Sequence, residues 1–123
     1  MPSLNPSREQ MRAFAEAMPA DTPIVMLNLL RFSPQANYPS GSDETPCSGR
    51  EAYARYSRTA LAKVRGVGGE VQWLGTAHVA GIAPNDEHWD QVLLVRYPSS
   101  SAFLAMLADP EYQAATVHRS AAL

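Results

Sequence analysis

The run Ile24-Val25-Met26-Leu27-Asn28-Leu29-Leu30-Arg31-Phe32 constrains this chain more than any other feature. It follows Pro23, precedes a polar stretch, and is too short to cross a membrane as a helix. Such a run reads as a β-strand buried on at least one face. Alternation puts Ile24, Met26, Asn28, Leu30 and Phe32 on one side and Val25, Leu27, Leu29 and Arg31 on the other. Asn28 is the odd member. An unpaired buried amide costs roughly 1–3 kcal/mol. Asn28 is therefore either tied into the fold or borders a cavity where water or a ligand satisfies it.

Around this strand the chain is punctuated clearly. Ser7-Arg8-Glu9-Gln10 has capping-box spacing, and Met11, Phe14, Ala15 and Met18 recur at helical intervals until Pro19. Residues 33–49 form a long polar loop, longer than most unstructured connections in a small domain. Ser48-Gly49-Arg50-Glu51 is a second capping box, opening a helix to about Val67 whose stripe is Tyr53, Tyr56, Ala60, Val64 and Val67. A long or bent strand is expected over Glu70–Ile82, with Val71, Trp73, Ala77 and Val79 on one face and Leu74, Thr76 and His78 on the other. Gly75 inside it signals a bulge or a close neighbour. A turn at Pro84–Glu87 leads to a strand over Trp89–Tyr97. Ser99-Ser100-Ser101 caps a helix bearing Phe103, Met106 and Leu107, and Asp109-Pro110 starts another.

The resulting order, helix, β, α, β, β, α and a helical tail, is that of an α+β, ferredoxin-like split βαβ sheet with helices on one face and an extra N-terminal helix. The plan's fourth strand is not evident before Leu123, so either the chain is truncated there or a partner completes the sheet edge. One domain over residues 1–123 suffices for this length. Both faces of the first strand are apolar and two helices cover only one, so a homodimer through the sheet face is expected.

Composition narrows the function classes. The charged share is 18% and the net charge −2 with no basic stripe, which speaks against a nucleic-acid partner. The absence of a long apolar segment and of a signal-like N-terminus speaks against a membrane span or secretion. The lone Cys47 forms no intrachain disulfide, and the expected location is cytoplasmic. No Gly-rich phosphate loop, nucleophile elbow or metal-ligand spacing is present.

Several segments taken together carry a resemblance: Met26-Leu27-Asn28-Leu29-Leu30-Arg31-Phe32, Gly49-Arg50-Glu51-Ala52-Tyr53-Ala54-Arg55-Tyr56, Gly68-Gly69 leading to Trp73-Leu74-Gly75, Trp89-Asp90-Gln91-Val92-Leu93-Leu94-Val95-Arg96-Tyr97-Pro98-Ser99, and Met106-Leu107-Ala108-Asp109-Pro110-Glu111-Tyr112-Gln113. From about Pro23 onward the chain resembles the family called domain of unknown function 1330, within the dimeric α/β-barrel superfamily. The resemblance implies a sheet that packs on a second copy to form a barrel, and no established reaction. Fold relatives include cofactor-free monooxygenases, haem-degrading monooxygenases and muconolactone-type isomerases, in some of which an Asn on the first strand holds a substrate oxygen. Fold alone does not transfer chemistry.

The expected site lies between sheet and helices. Asn28 would hold an oxyanion, and His78 or a water would take a proton. Tyr53, Tyr56, Trp73 and Trp89 would line the substrate pocket. Against this stand plainer readings, in which Asn28 bonds to backbone, the tryptophans anchor core or interface, and His78 is structural. No cofactor is required by any motif; haem, with His78 as axial ligand, is the less favoured variant. Arg31 and Arg96 could steer an anionic substrate, but the expected reading is that they pair with Asp90 and Glu70 at the barrel rim. The function read from the sequence is small-molecule binding, in its sharpest form a cofactor-free monooxygenase or isomerase of an enolisable aromatic or lactone-like compound. The alternative is a non-catalytic metabolite-binding or interaction protein.

Overall fold

Capping chemistry sets the helix starts in the computed structural model, which describes residues 5–123. Helix α1 spans Arg8–Ala17, and the Ser7 Oγ accepts from the Gln10 N–H at 3.1 Å while the Gln10 Oε1 accepts from the Ser7 N–H at 2.8 Å. Helix α2, Gly49–Gly66, opens on the same reciprocal pair between Ser48 and Glu51. Ser99 caps α3, Ser100–Ala108, and the Asp109 carboxylate accepts from Glu111 and Tyr112 at the start of α4, Pro110–Ala122. Pro110 occupies the first turn, where a missing N–H costs nothing.

The strands are β1 (Ile24–Leu30), β2 (Glu70–Thr76) and β3 (Gln91–Tyr97). They form an antiparallel sheet in the order β1-β3-β2, with β1 and β2 as edges. This is the α+β split arrangement expected from the element order. The register sets Asn28 against Leu93 and Met26 against Val95, with Leu74 and Val71 continuing those two rows on β2. This face looks toward the helices, where Ile24, Tyr56, Ala60, Val64, Val95, Tyr97, Met106, Tyr112 and Ala115 form the core.

Three expectations need correction. First, β2 ends at Thr76, not Ile82: one further bond, from the Ala77 N–H to the Asp90 carbonyl at 2.9 Å, closes the ladder with β3, and the segment beyond it is unpaired irregular chain. Val79 and Ile82 are accordingly exposed. Second, the register shifts between Val71 and Trp73, so Val71 faces the helices while Trp73 aligns with Leu94 on the opposite face. The bulge lies there and not at Gly75, whose missing side chain instead makes room for the Trp73 indole. Third, Asp90 does not pair with an arginine at the rim. Its carboxylate accepts from the Phe32 N–H at 2.7 Å, and its own N–H donates to the Leu30 carbonyl at 2.8 Å.

The loop at 33–49 has a definite structural task. The Ser33 N–H donates to the Ala122 carbonyl at 2.8 Å, the Asn37 N–H to Ala121 at 2.9 Å, and the Ser33 hydroxyl to Leu123 at 3.1 Å. Together they satisfy the carbonyls that the end of α4 leaves without intrahelical partners. Tyr38 shares a 2.7 Å hydrogen bond with His118 Nδ1, and Arg55 donates to the Tyr38 hydroxyl and to Glu44. At the other end of the fold, α1 packs on α3 through Phe14 and Phe103, and the Ser100 hydroxyl donates to the Pro19 carbonyl.

Gly49 sits where loop, α2 and α4 converge. A Cβ there would run into the Ser33 carbonyl oxygen and lie 2.6 Å from that of Ala122. Gly49→Ala is expected to lower unfolding free energy by about 3 kcal/mol in urea titration, in the range for overpacking. Gly66→Ala, with open space around it, should be neutral or stabilising by up to about 1 kcal/mol.

Candidate functional site

Helix periodicity and strand alternation together build a cavity between the sheet and its helical cover. Met26 and Asn28 of β1 and Leu93, Val95 and Tyr97 of β3 form its floor. From α2, Tyr53, Tyr56, Ala60 and Val64 descend into it at steps of three and four. Tyr112, Thr116 and Arg119 of α4 make a second stripe, and Phe103, Met106 and Leu107 of α3 with Met11 and Phe14 of α1 close the far end. The volume is about 390 Å³, within the range of small-molecule sites. A larger open groove beside α2 shares Tyr53, Ser57, Leu61 and Leu93 with it. The groove therefore adjoins the cavity from the solvent side.

Four tyrosines dominate the interior. The Tyr56 and Tyr112 hydroxyls share a 2.8 Å hydrogen bond that joins α2 to α4, and Tyr97 donates to the Met106 sulfur at 3.9 Å. The Tyr53 and Tyr56 rings lie 5.2 Å apart. Burial pushes the phenols of Tyr53, Tyr56 and Tyr97 above their ordinary range, with the positive charge of Arg119 opposing this at Tyr53 and Tyr56. These hydroxyls are neutral donors at physiological pH. Asn28 donates through Nδ2 to the carbonyls of Met26 at 3.3 Å and Leu93 at 3.4 Å. Its amide hydrogens are thus engaged by backbone, and Oδ1 is the atom it can offer a guest.

The family profile of the domain of unknown function DUF1330 matches residues 45–123, most of the chain. The chain belongs to this family. Among solved structures, the methylated RPA0582 protein is 41% identical, with a TM-score of 0.90 and coverage of 98% of this chain and 86% of that one. RPA0582 from Rhodopseudomonas palustris, described as a protein of unknown function, is 42% identical at a TM-score of 0.89, covering 99% and 89%. No curated protein matches. The likeness to these solved structures also takes in the N-terminal third, α1 included, which the family profile does not match.

The six residues expected at the site divide evenly in this DUF1330 chain. Asn28, Tyr53 and Tyr56 meet at the cavity. Trp73 lies on the opposite sheet face with 54% of its surface exposed, because the bulge before it reverses the side it presents. His78 falls in the irregular segment after β2 and is exposed, since the strand that would have aimed it inward has already ended. Trp89 precedes β3 and its Nε1 donates to Glu87 at 3.2 Å. With His78 outside, the haem arrangement considered from the sequence has no ligand from that residue at the cavity. Tyr97, Tyr112 and Arg119 are cavity residues that sequence reasoning passed over. The signal for α4 was present, as 112, 116 and 119 share one helical face.

The raised phenols fix a pH dependence. Tyr56 and Tyr97 hold their protons in the folded state well above the ordinary 10.0, whereas the unfolded chain releases them there. Their contribution to stability is complete below about pH 10 and falls as pH rises beyond it. Tyr56→Phe should cost about 1 kcal/mol near neutrality through the lost hydroxyl pair. Above about pH 10 its unfolding free energy should decline less steeply than wild type; urea titrations across this range read both effects.

Proposed function

We propose that this DUF1330 protein binds a small, largely apolar molecule in the cavity between sheet and helices, and that it acts as a binding protein. The observation that carries this reading is a ligand-sized hollow with apolar walls and a few converging polar groups: Asn28, the tyrosine hydroxyls and Arg119. The catalytic form is less well supported. The lining holds no histidine, carboxylate, lysine or thiol among the described residues, and its phenols are shifted away from the range of a general base. Asn28 already gives its N–H groups to backbone carbonyls, which weakens it as an oxyanion donor. A cofactor-free oxygenase or isomerase would need a substrate acidic enough to ionise without a protein base.

Binding is checked by displacement of an apolar fluorophore such as 1-aminoanthracene. Wild type should take up the dye, and Ser57→Trp, which fills the cavity from α2, should weaken uptake at least about tenfold. Uptake unaffected by that substitution removes the cavity as the binding site.

We further propose that the other sheet face pairs with a second copy of the chain. Val25, Leu27, Leu29 and Trp73 crowd this face, Leu27 with 62% of its surface exposed. A two-fold copy presents a matching apolar sheet, which supports an isologous dimer. Leu27→Glu should shift the mass measured by light scattering from dimer to monomer; a wild type that is monomeric at high concentration removes the dimer.

A further inference from the structure

Arg50, Ala54, Arg58, Leu61 and Arg65 follow one another along α2 at steps of four and three, so they share one helical face. That face is a wall of the open groove beside the helix. The floor is apolar, built from Val71 and Leu74 of β2 and Leu93 of β3, and Leu74 keeps 58% of its surface exposed. Among the described residues, the side chains of Arg58 and Arg65 make no ion pair or hydrogen bond. Arg50 rests on the Phe32 ring at 4.8 Å from its centroid. No carboxylate is among the groove's described lining residues. Glu70 shares a neighbouring recess with Arg65 but does not pair with it. A row of unpaired cations above an apolar floor suits an anionic partner that also carries apolar groups.

The length of the row decides the form of that partner. Arg50 to Arg65 covers about 22 Å of helix axis at 1.5 Å per residue. A compact anion meets one end of such a row; an extended chain meets all of it. The other side of the groove is β2, whose seven residues reach about 23 Å in extended form. β2 is an edge strand, paired on one side to β3, and its outer N–H and C=O groups have no partner among the described residues. Its bulge lies between Val71 and Trp73, and no Pro or Lys guards residues 73–76. We infer that β2 accepts an acidic peptide segment as an added strand, its acid side chains beneath Arg50, Arg58 and Arg65. Backbone pairing supplies affinity, and the arginine row with the apolar floor supplies selectivity. Neither Arg58, Arg65 nor β2 lines the cavity under the helices, so this surface stands apart from the small-molecule site.

Isothermal titration calorimetry on the full chain tests this with capped peptides about ten residues long. One alternates Glu with Val, one alternates Lys with Val, and one alternates Glu with Pro, which keeps the charge but cannot pair as a strand. The Glu-Val peptide should bind, the Lys-Val peptide should not, and the Glu-Pro peptide should bind at least about tenfold more weakly. Arg58→Gln combined with Arg65→Gln, both at exposed positions, should weaken Glu-Val binding at least about tenfold. Uptake of 1-aminoanthracene by the same double variant should match wild type. Saturation with the Glu-Val peptide should also slow amide hydrogen exchange at residues 73–76. A Glu-Val peptide that fails to bind, or binds the double variant equally well, overturns the inference and leaves the cavity reading standing. Glu-Pro binding as tight as Glu-Val, or unchanged exchange at residues 73–76, overturns the added strand.

Discussion

The hydroxyl bond between Tyr56 and Tyr112 is the polar contact at the centre of the packing between α2 and α4. Each phenol is buried, so each needs a partner inside the protein, and each is the other's. That mutual need, together with the packing of Ala60 and Ala115 in the same core, constrains how α2 and α4 lie over the sheet. With the two helices spaced by aromatic side chains, the volume beneath them is not filled by aliphatic packing. The hollow next to Asn28 follows from the size and polarity of the groups that bridge above it.

The sheet supplies the complementary half of the argument. A three-stranded antiparallel sheet has two faces, and here both carry apolar rows. The helices cover the row of Ile24, Met26, Val95 and Tyr97, while Val25, Leu27 and Leu29 stay open. Apolar surface of that kind is usually an interface. The same strand thereby presents two different surfaces, its inner residues lining the cavity and its outer ones an uncovered apolar face.

Local chemistry made most of the fold legible. Ser7, Ser48, Ser99 and Asp109 announce their helices through caps that depend only on residues within one turn. The strand around Asn28 declares itself by hydrophobic alternation. What escaped was decided by distant partners. The end of β2 is set by where β3 starts, and the side on which Trp73 emerges is set by a bulge against β3. Neither has a strong local signature. His78 was misplaced with them, because alternation was extended past the last paired residue. Arg119 was passed over because its helix begins near Pro110 without a long apolar stripe, and its place at the cavity depends on α2 lying opposite.

The clasp formed by residues 33–49 has a kinetic meaning. Its bonds to α4 span separations of 80 and 90 residues, and the Tyr56–Tyr112 bridge spans 56. Contacts so remote in sequence carry a heavy loop-closure entropy and form slowly. Docking of α4, which supplies Tyr112, Thr116 and Arg119 to the cavity wall, is thus expected to come late in folding, after the shorter-range contacts of β2 with β3 and within α2.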